Sequence, residues 1–181
     1  MNKNEQLNLN IFIPEFGDKS AIDDYVLPLI REAIQEGAFY YPYHIHPNQT
    51  DKAALVYSYL FSKCLKEKTF ALALDAVTHA PVGLESYSKS PFCDYFKTSP
   101  IYDGILTFVS KKYRNQGVAS RLRYFLLKQG NFQKGDKFRF SIRKNNEAGY
   151  LSVDKLAKEL NMSMVETGVT YEGQLTHQLD I

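Results

Sequence analysis

The chain has 181 residues, of which 44% are hydrophobic and 14% aromatic, and its formal net charge is +2. A chain of this length can form one domain that buries about two-thirds of its unfolded surface, and its apolar content excludes an intrinsically disordered protein. The small net charge and the lack of a long basic stripe do not suggest a nucleic-acid-binding protein. We therefore expect a single domain over residues 1–181.

The N-terminal residues MNKNEQLNLN contain no apolar run that resembles a secretory signal, and no stretch approaches the roughly 18 apolar residues of a membrane span. Cys64 and Cys93 do not have zinc-site spacing, and we interpret them as reduced thiols. His44 and His46 have no Asp, Glu or Cys at the usual ligand spacing. These features predict a cytoplasmic protein that uses no metal and has no membrane or nucleic-acid partner.

The hydrophobic periodicity predicts alternating groups of strands and helices. Pro28 lies inside the first helical pattern, so we expect a kink there or a start later than Ser20, the predicted cap. The order β-α-α-β-β-β-α-β-α-β-β predicts a mixed α/β layered domain. In chain order the elements are a strand at 7–13, a helix from 20 to 37, a helix capped by Thr50, strands at 70–74, 82–88 and 105–109, a helix stopped by Gly130, a strand at 137–143, a helix at 147–160 and a hairpin that turns at 172–173.

Residues 109–127, VSKKYRNQGVASRLRYFLL, join a strand pattern to a helical pattern through several cations, two amides and a glycine. The N-terminus of a helix carries unpaired N–H groups and partial positive charge, which suits a phosphate. Gly117 lets a ligand approach the backbone, and Arg114 can make a bidentate contact to a diphosphate. The stretch matches neither the Walker loop nor the three-glycine dinucleotide loop. It indicates a phosphate-binding loop, with an ordinary strand–helix turn carrying solvated cations as the alternative.

Within this stretch, Arg114-Asn-Gln-Gly117-Val-Ala119 resembles the R/Q-x-x-G-x-G/A motif of the GCN5-related N-acetyltransferase (GNAT) family, and the element order over residues 7–180 resembles that family too. The resemblance implies a mostly antiparallel sheet flanked by helices, with acetyl-CoA as co-substrate and no metal. It also implies that main-chain groups of Phe108, Val109 and Ser110 bind the pantetheine arm. The residues that would then enclose the phosphates are Arg114, Asn115, Gln116, Gly117, Val118, Ala119 and Ser120.

A second motif of the family, Asn-x-x-Ala, is similar to Asn145-Asn-Glu-Ala148. Asn145 is expected either to bind the pantetheine or to cap the following helix. The family's tyrosine, which protonates the departing CoA thiolate, would fall at Ser152. Tyr150 is a candidate general acid, but it lies two positions earlier and, at about 100° per residue, points away from the place of Ser152.

The resemblance implies direct transfer of an acetyl group from the thioester to an amine, which requires a neutral amine and a route for its proton. Asp103 stands where the histone-acetylating branch of the family has a glutamate base, and Glu85 is a second candidate. Asp103-Gly104 is also favourable turn sequence, and Glu85 can lie on a solvated strand face. A base acting through water is a third possibility.

The aromatic segment 39–47 joins the first two predicted helices, and it is expected either to shape an acceptor pocket or to pack over the edge of the sheet. We expect an acetyltransferase that acts on the primary amine of a small molecule. The alternatives are a protein acetyltransferase for lysine or an N-terminus, and a non-catalytic CoA-binding module. The sequence leaves a homodimer open.

Overall fold

The computed structural model describes residues 7–37, 61–142, 144–169 and 175–180. The seven strands in these ranges form one sheet in the order β1-β2-β3-β4-β5-β7-β6. All neighbouring strands are antiparallel except β4 and β5, which are parallel. The expected mixed α/β architecture with a mostly antiparallel sheet is confirmed. The strands are β1 Leu9–Phe12, β2 Phe70–Asp75, β3 Pro81–Lys89, β4 Ile101–Val109, β5 Lys137–Ile142, β6 Met164–Val169 and β7 Leu175–Asp180.

The first predicted helix is a composite of three segments and is capped by Asp18 rather than by Ser20. The Oδ1 atom of Asp18 accepts a hydrogen bond from the Ala21 N–H at 3.0 Å, whereas the Ser20 hydroxyl donates to the same carboxylate at 2.7 Å. Pro28 follows a π-helical segment and lies in the first turn of α2, where its missing N–H is tolerated. The helical segments are α1 Lys19–Ala21, the π-helical segment Ile22–Val26, α2 Leu27–Gln35, α3 at 61–66, α4 Pro91–Phe96, the 3-10 turn Lys111–Tyr113, α5 Val118–Gln129 and α6 Glu147–Leu160.

Some of the sequence-based predictions concern residues outside the described ranges. They are the cap at Thr50, the aromatic segment 39–47 with His44 and His46, and the turn at 172–173. Helix α4 was not predicted, and it adds an element between β3 and β4.

Two apolar clusters cover the two faces of the sheet. On one face, called here the α2 face, Ile30 of α2 packs with Leu72 and Leu84 of the central strands. On the opposite face, called the α5 face, Leu122 of α5 and Val153 of α6 belong to a second cluster with residues of β3 and β5. The sheet core is therefore buried from both sides.

Both cysteines are buried thiols. Cys64 belongs to the cluster on the α2 face, and its burial raises the pKa of the thiol to about 11. The Sγ atom of Cys93 lies 3.2 Å from the Ile101 nitrogen and accepts a hydrogen bond from that N–H.

Strands β4 and β5 pair only at their beginnings, where Ile101–Asp103 lies beside Lys137–Arg139. Beyond these residues β4 continues beside β3, and β5 continues beside β7. The result is a gap between residues 104–109 of β4 and 140–142 of β5, which we call the β4–β5 gap. Ligands of α/β sheets commonly bind at the carboxyl ends of parallel strands where neighbouring connections diverge. The gap therefore marks the place to look for a site.

Candidate active site

A cleft of about 420 Å³ lies on the α5 face beside the β4–β5 gap. It is lined by the end of β4, the loop that follows, the first turns of α5 and the N-terminal half of α6. The structure thus brings most of the predicted cofactor-binding residues together. Those that line the cleft are Val109, Arg114, Asn115, Gly117, Val118, Ala119 and Ser120.

The loop between β4 and α5 presents a row of backbone N–H groups. Gly117 caps α5 in the left-handed conformation with φ +73°, and Asn115 has φ +62°. Among the described residues, no acceptor binds the backbone N–H groups of residues 115–120, whereas the Arg121 N–H bonds back to the Gly117 carbonyl at 3.1 Å. Free N–H groups at a helix N-terminus form a binding site for an anion.

Arg114 is held beside this row by three contacts. Its Nε donates to the Val109 carbonyl at 2.9 Å, its guanidinium pairs with Glu36, and it lies over the Phe108 ring with 5.5 Å to the centroid. The Glu32 carboxylate accepts the Lys111 N–H at 2.8 Å. The end of α2 therefore braces the loop and orients a permanent positive charge at the cleft.

The hydrogen-bond ladder of β4 determines which main-chain groups face the gap. The Ser110 N–H donates to the Val82 carbonyl at 2.9 Å, and the Ser110 carbonyl accepts the Tyr113 N–H at 2.8 Å. Because an antiparallel ladder alternates, Val109 and Thr107 direct their main-chain groups away from β3, whereas those of Phe108 point towards it. The main-chain groups of Thr107 and Val109 thus face the gap, whereas those of Phe108 and the N–H of Ser110 are directed towards β3.

A β-bulge lies further along the same strand. Ser86 pairs with Leu106 and Tyr87 with Gly104, so Ile105 is the extra residue of β4. Bulges interrupt pairing and redirect the main chain, and they are frequent next to active sites. We found no signal for it in the sequence beyond the neighbouring Gly104.

Helix α6 presents its first turns to the cleft. Its cap is Asn146, whose side chain accepts the Gly149 N–H at 3.0 Å, so the capping alternative for Asn145 was wrong by one residue. Asn146 also lines the cleft, whereas Asn145 is exposed and does not. The Gln116 side chain points back along the loop, with its amide 3.4 Å from the Lys112 carbonyl.

Tyr150 and Ser152 lie on different sides of α6. The Tyr150 ring packs against His177 of β7 with 5.4 Å between centroids, and both line a separate cavity of about 240 Å³. Ser152 lines the cleft beside α5. The structure thus places Tyr150 outside the cleft.

The floor of the cleft is a polar cluster that sequence reasoning missed. The Arg123 Nε lies 3.3 Å from Glu85 Oε1, its Nη1 donates to Ser152 Oγ at 2.7 Å, and its Nη2 donates to Thr107 Oγ1 at 2.9 Å. The Ser120 and Ser152 hydroxyls lie 3.1 Å apart. We call these five residues the Arg123 cluster.

Glu85 does not lie on a solvated strand face, because its side chain is fully buried. Burial raises the pKa of its carboxyl, and the nearby Arg123 charge opposes this rise. Burial together with the Glu85 charge raises the pKa of the neighbouring Tyr87 hydroxyl well above its ordinary value. One carboxyl oxygen of Glu85 lies against Arg123, whereas the other is buried without a hydrogen-bond partner among the described residues.

Asp103 lies within β4 rather than in a turn, and it faces away from the cleft. It alternates with Tyr102, which belongs to the cluster on the α5 face, so its side chain is on the α2 face. Arg139 donates hydrogen bonds to both carboxylate oxygens of Asp103, from Nε to Oδ1 at 2.5 Å and from Nη2 to Oδ2 at 2.9 Å. This hydrogen bonding raises the pKa of Arg139. Asp103 and Glu85 are therefore not brought together.

In the described ranges, no group of three or more His, Cys, Asp or Glu side chains could hold a metal ion. The helices of the same ranges include none that is long and apolar enough to cross a membrane.

No protein-family model matches the sequence, and no curated protein matches it either. Solved structures do match over nearly the whole chain. Diaminobutyrate acetyltransferase EctA from Paenibacillus lautus, in complex with L-2,4-diaminobutyric acid and coenzyme A, is 16% identical, with 96% of this chain and 95% of that chain covered and a TM-score of 0.59. The NatC complex bound to Gag peptide and CoA has 12% identity, coverage of 96% and 99%, and a TM-score of 0.68.

A GNAT-family acetyltransferase from Listeria monocytogenes 4b F2365 is 14% identical, with 97% of this chain and 96% of that chain covered and a TM-score of 0.59. At these identities the similarity establishes a shared fold. The resemblance drawn from the element order is therefore confirmed at the level of the fold.

Proposed function

We propose that this chain, which has the fold of the GCN5-related N-acetyltransferases, transfers an acetyl group from acetyl-CoA to a primary amine. The observation that carries the proposal is the row of free N–H groups at residues 115–120 beside the β4–β5 gap. The row can bind the diphosphate of CoA at the N-terminus of α5, with Arg114 as an additional charge. The main-chain groups of Thr107 and Val109 can pair with the amides of the pantetheine arm.

In the reaction, the amine nitrogen attacks the thioester carbonyl carbon. The C–N bond forms, the C–S bond breaks, its electron pair stays on sulfur, and the surplus proton of the nitrogen passes to a base. Main-chain donors at the edge of β4 can stabilise the charge that develops on the carbonyl oxygen. Asp103, Glu85 and water are the candidate bases, and Tyr150 could act as an acid only if α6 turned it towards the cleft.

For the acceptor we propose the amine of a small molecule, because the EctA structure combines this fold with an amino acid and CoA. A protein acetyltransferase is the second candidate, since the NatC structure combines the fold with a peptide and CoA. A non-catalytic CoA-binding module is the third, since Ser152 stands where the family has its tyrosine. The proposal also includes a cytoplasmic location without metal, membrane or nucleic-acid partners, and leaves a homodimer open.

Two measurements test the proposal together. Calorimetry should show binding of acetyl-CoA and CoA, and no binding at millimolar concentration would reject it. A screen for acetyl-CoA-dependent thiol release over small amines and over peptides should then show turnover with a member of the first panel. Turnover with peptides alone would select the protein acetyltransferase, and binding without any turnover would select the non-catalytic module.

A further inference from the structure

A second cavity, called here the His177 cavity, lies on the side of α6 that faces away from the cleft. It has a volume of about 240 Å³, and Tyr150 of α6 and His177 of β7 line it but do not line the cleft. Strands β5 and β7 pair without a break from 137–142 to 175–180, so the sheet forms a continuous floor beneath it. The cavity is therefore separate from the cleft.

The His177 cavity contains a buried polar atom that lacks a partner in the described part of the chain. His177 is 3% exposed, and its Nε2 atom is buried without a hydrogen bond to any described residue. Its neighbour across the sheet on β5 is Phe140, whose side chain has no donor or acceptor. Buried polar atoms are nearly always hydrogen-bonded, because leaving them unpaired is unfavourable. A molecule that enters the cavity can supply the missing hydrogen bond.

The walls of the cavity are mostly apolar and partly aromatic. Ile142 and Leu151 contribute aliphatic side chains, and the Tyr150 ring meets the His177 ring edge to face at an interplanar angle of 69°. Tyr150 is 41% exposed and Leu151 is 62% exposed. A ring in the cavity would cover both of these side chains and extend the edge-to-face contacts, which aromatic groups favour. The walls therefore suit an aromatic ligand.

The charges at the mouth of the cavity do not favour a charged ligand. Lys144 and Glu147 are both exposed and carry opposite charges, so an ion that is attracted by one is repelled by the other. A ring nitrogen of a neutral imidazole either donates or accepts a hydrogen bond, and a hydroxyl group can match both states. The complementary ligand is therefore uncharged, with one hydroxyl group on its ring.

We infer that the His177 cavity binds a small, uncharged aromatic molecule with one hydroxyl group, which is a phenol in chemical class. The hydroxyl group bonds to Nε2 of His177, and the ring lies against Tyr150 and Leu151. The site does not depend on the proposed acetyl transfer, because it lies on the other side of α6 from the cleft. It gives the chain a second binding function, for a ligand that needs no amine.

Phenol and toluene test the inference as a matched pair of probes, since toluene has a methyl group in place of the hydroxyl group. NMR titration of the ¹⁵N-labelled protein should show phenol binding at millimolar concentration, with shifts of the amide signals of the lining residues. His177→Phe keeps a ring at this position but removes the nitrogen. It should lower the affinity for phenol relative to toluene by about tenfold, because the buried hydroxyl group is left without its partner.

Two surface variants locate the binding, and neither changes the interior of the sheet. Tyr150→Ala removes one wall of the cavity and should weaken the binding of both probes. Tyr124→Ala on α5 is the matched control, because Tyr124 has a similar exposure of 42% and does not line the cavity. It should change neither affinity. Saturating CoA should leave phenol bound, because the cleft and the cavity lie on different sides of α6.

Several results would overturn the inference. They are no phenol binding at millimolar concentration, phenol binding that Tyr150→Ala leaves unchanged, and displacement of phenol by CoA. An equal ratio of phenol to toluene affinity in the wild type and in a His177→Phe variant that thermal unfolding shows to be folded would overturn it as well. Failure of CoA to bind would reject the proposed function alone.

Discussion

Gly117→Asp tests the diphosphate site with a change that the fold can accommodate. Gly117 has φ +73°, and a Cβ built on it meets no atom within 4 Å. The left-handed backbone is unfavourable for most side chains, but Asn and Asp adopt it more readily than other residues. Gly117→Asn is therefore a matched control that has the same shape and backbone conformation as Gly117→Asp but no charge.

The charge should dominate the loss of affinity. A carboxylate about 5 Å from one phosphate charge is repelled by about 3 kcal/mol at an effective dielectric constant of about 20. This corresponds to a loss of affinity of roughly 10²-fold. We expect the Asn variant to lose less than about tenfold, because its amide crowds the site without repelling the ligand.

Calorimetric titration with CoA at two salt concentrations measures both effects. The difference between the Asp and Asn variants should shrink at high salt, because a repulsion at an open cleft is screened. Thermal unfolding of the two variants checks that both are equally folded. Equal CoA affinities for the Asp and Asn variants would show that no anion binds at the N-terminus of α5.

Three further changes probe the candidate base, the candidate acid and a buried thiol. Asp103→Asn should lower kcat by roughly 10² to 10⁴ with CoA affinity unchanged, and full activity in this variant would remove Asp103 as the base. Tyr150→Phe should lower kcat less than about tenfold, or 1.4 kcal/mol, because the ring packs on His177 outside the cleft; a larger loss would show that Tyr150 reaches the reacting atoms. Burial raises the pKa of the Cys64 thiol from 9.0 to about 11, so this thiol ionises at a lower pH in the unfolded chain than in the folded one. The free energy of unfolding should therefore fall by up to about 3 kcal/mol as the pH rises between these two pKa values. Urea unfolding over this range should show a smaller decrease for Cys64→Ala, and equal decreases would contradict the burial argument.

The parts of the site that are local in sequence were predictable. The loop before α5 has a glycine at the N-terminus of the helix and cations beside it. Its properties follow from backbone conformation and helix geometry over a few residues. The helix that follows this loop was predicted to stop at Gly130, and α5 ends at Gln129 with Gly130 as its C-cap. The helix predicted at 147–160 has the same bounds as α6.

Features set by unusual local geometry were not predictable from periodicity. A π-helical segment adds a residue per turn, and it allows the helical chain to pass into α2 with Pro28 in its first turn. Helix α4 has only six residues, too few for a hydrophobic period, although Pro91 at its start is a typical first residue. Such short elements are determined by their surroundings.

The Arg123 cluster could not be predicted because it depends on four segments that are distant in sequence. Glu85 was open to interpretation as a solvated residue since carboxylates are rarely buried without a partner. Strand β3 is covered on both faces, so its residues from Val82 to Tyr87 are all buried without alternation. The approach of Arg123 from α5 gives the buried Glu85 carboxyl a partner of opposite charge.

The two candidate bases lie on different faces of the sheet. The cofactor cleft lies on the α5 face, where Glu85 is enclosed behind Arg123. If the thioester lies in the β4–β5 gap with its diphosphate on this side, an acceptor amine must approach from the α2 face. Asp103 faces that side, at the base of the gap, and Glu85 does not.

From this arrangement we propose Asp103 as the base, with Arg139 releasing one carboxylate oxygen to the amine. The arrangement also separates the two variants by their signatures. Asp103→Asn should change the pH dependence of turnover, because it acts on the proton of the amine. Glu85→Gln should leave this pH dependence as it is, because Glu85 is enclosed behind Arg123 on the α5 face. If Glu85→Gln rather than Asp103→Asn altered the pH dependence of turnover, the amine would have to enter from the α5 face, and the assignment of the two sides would be reversed.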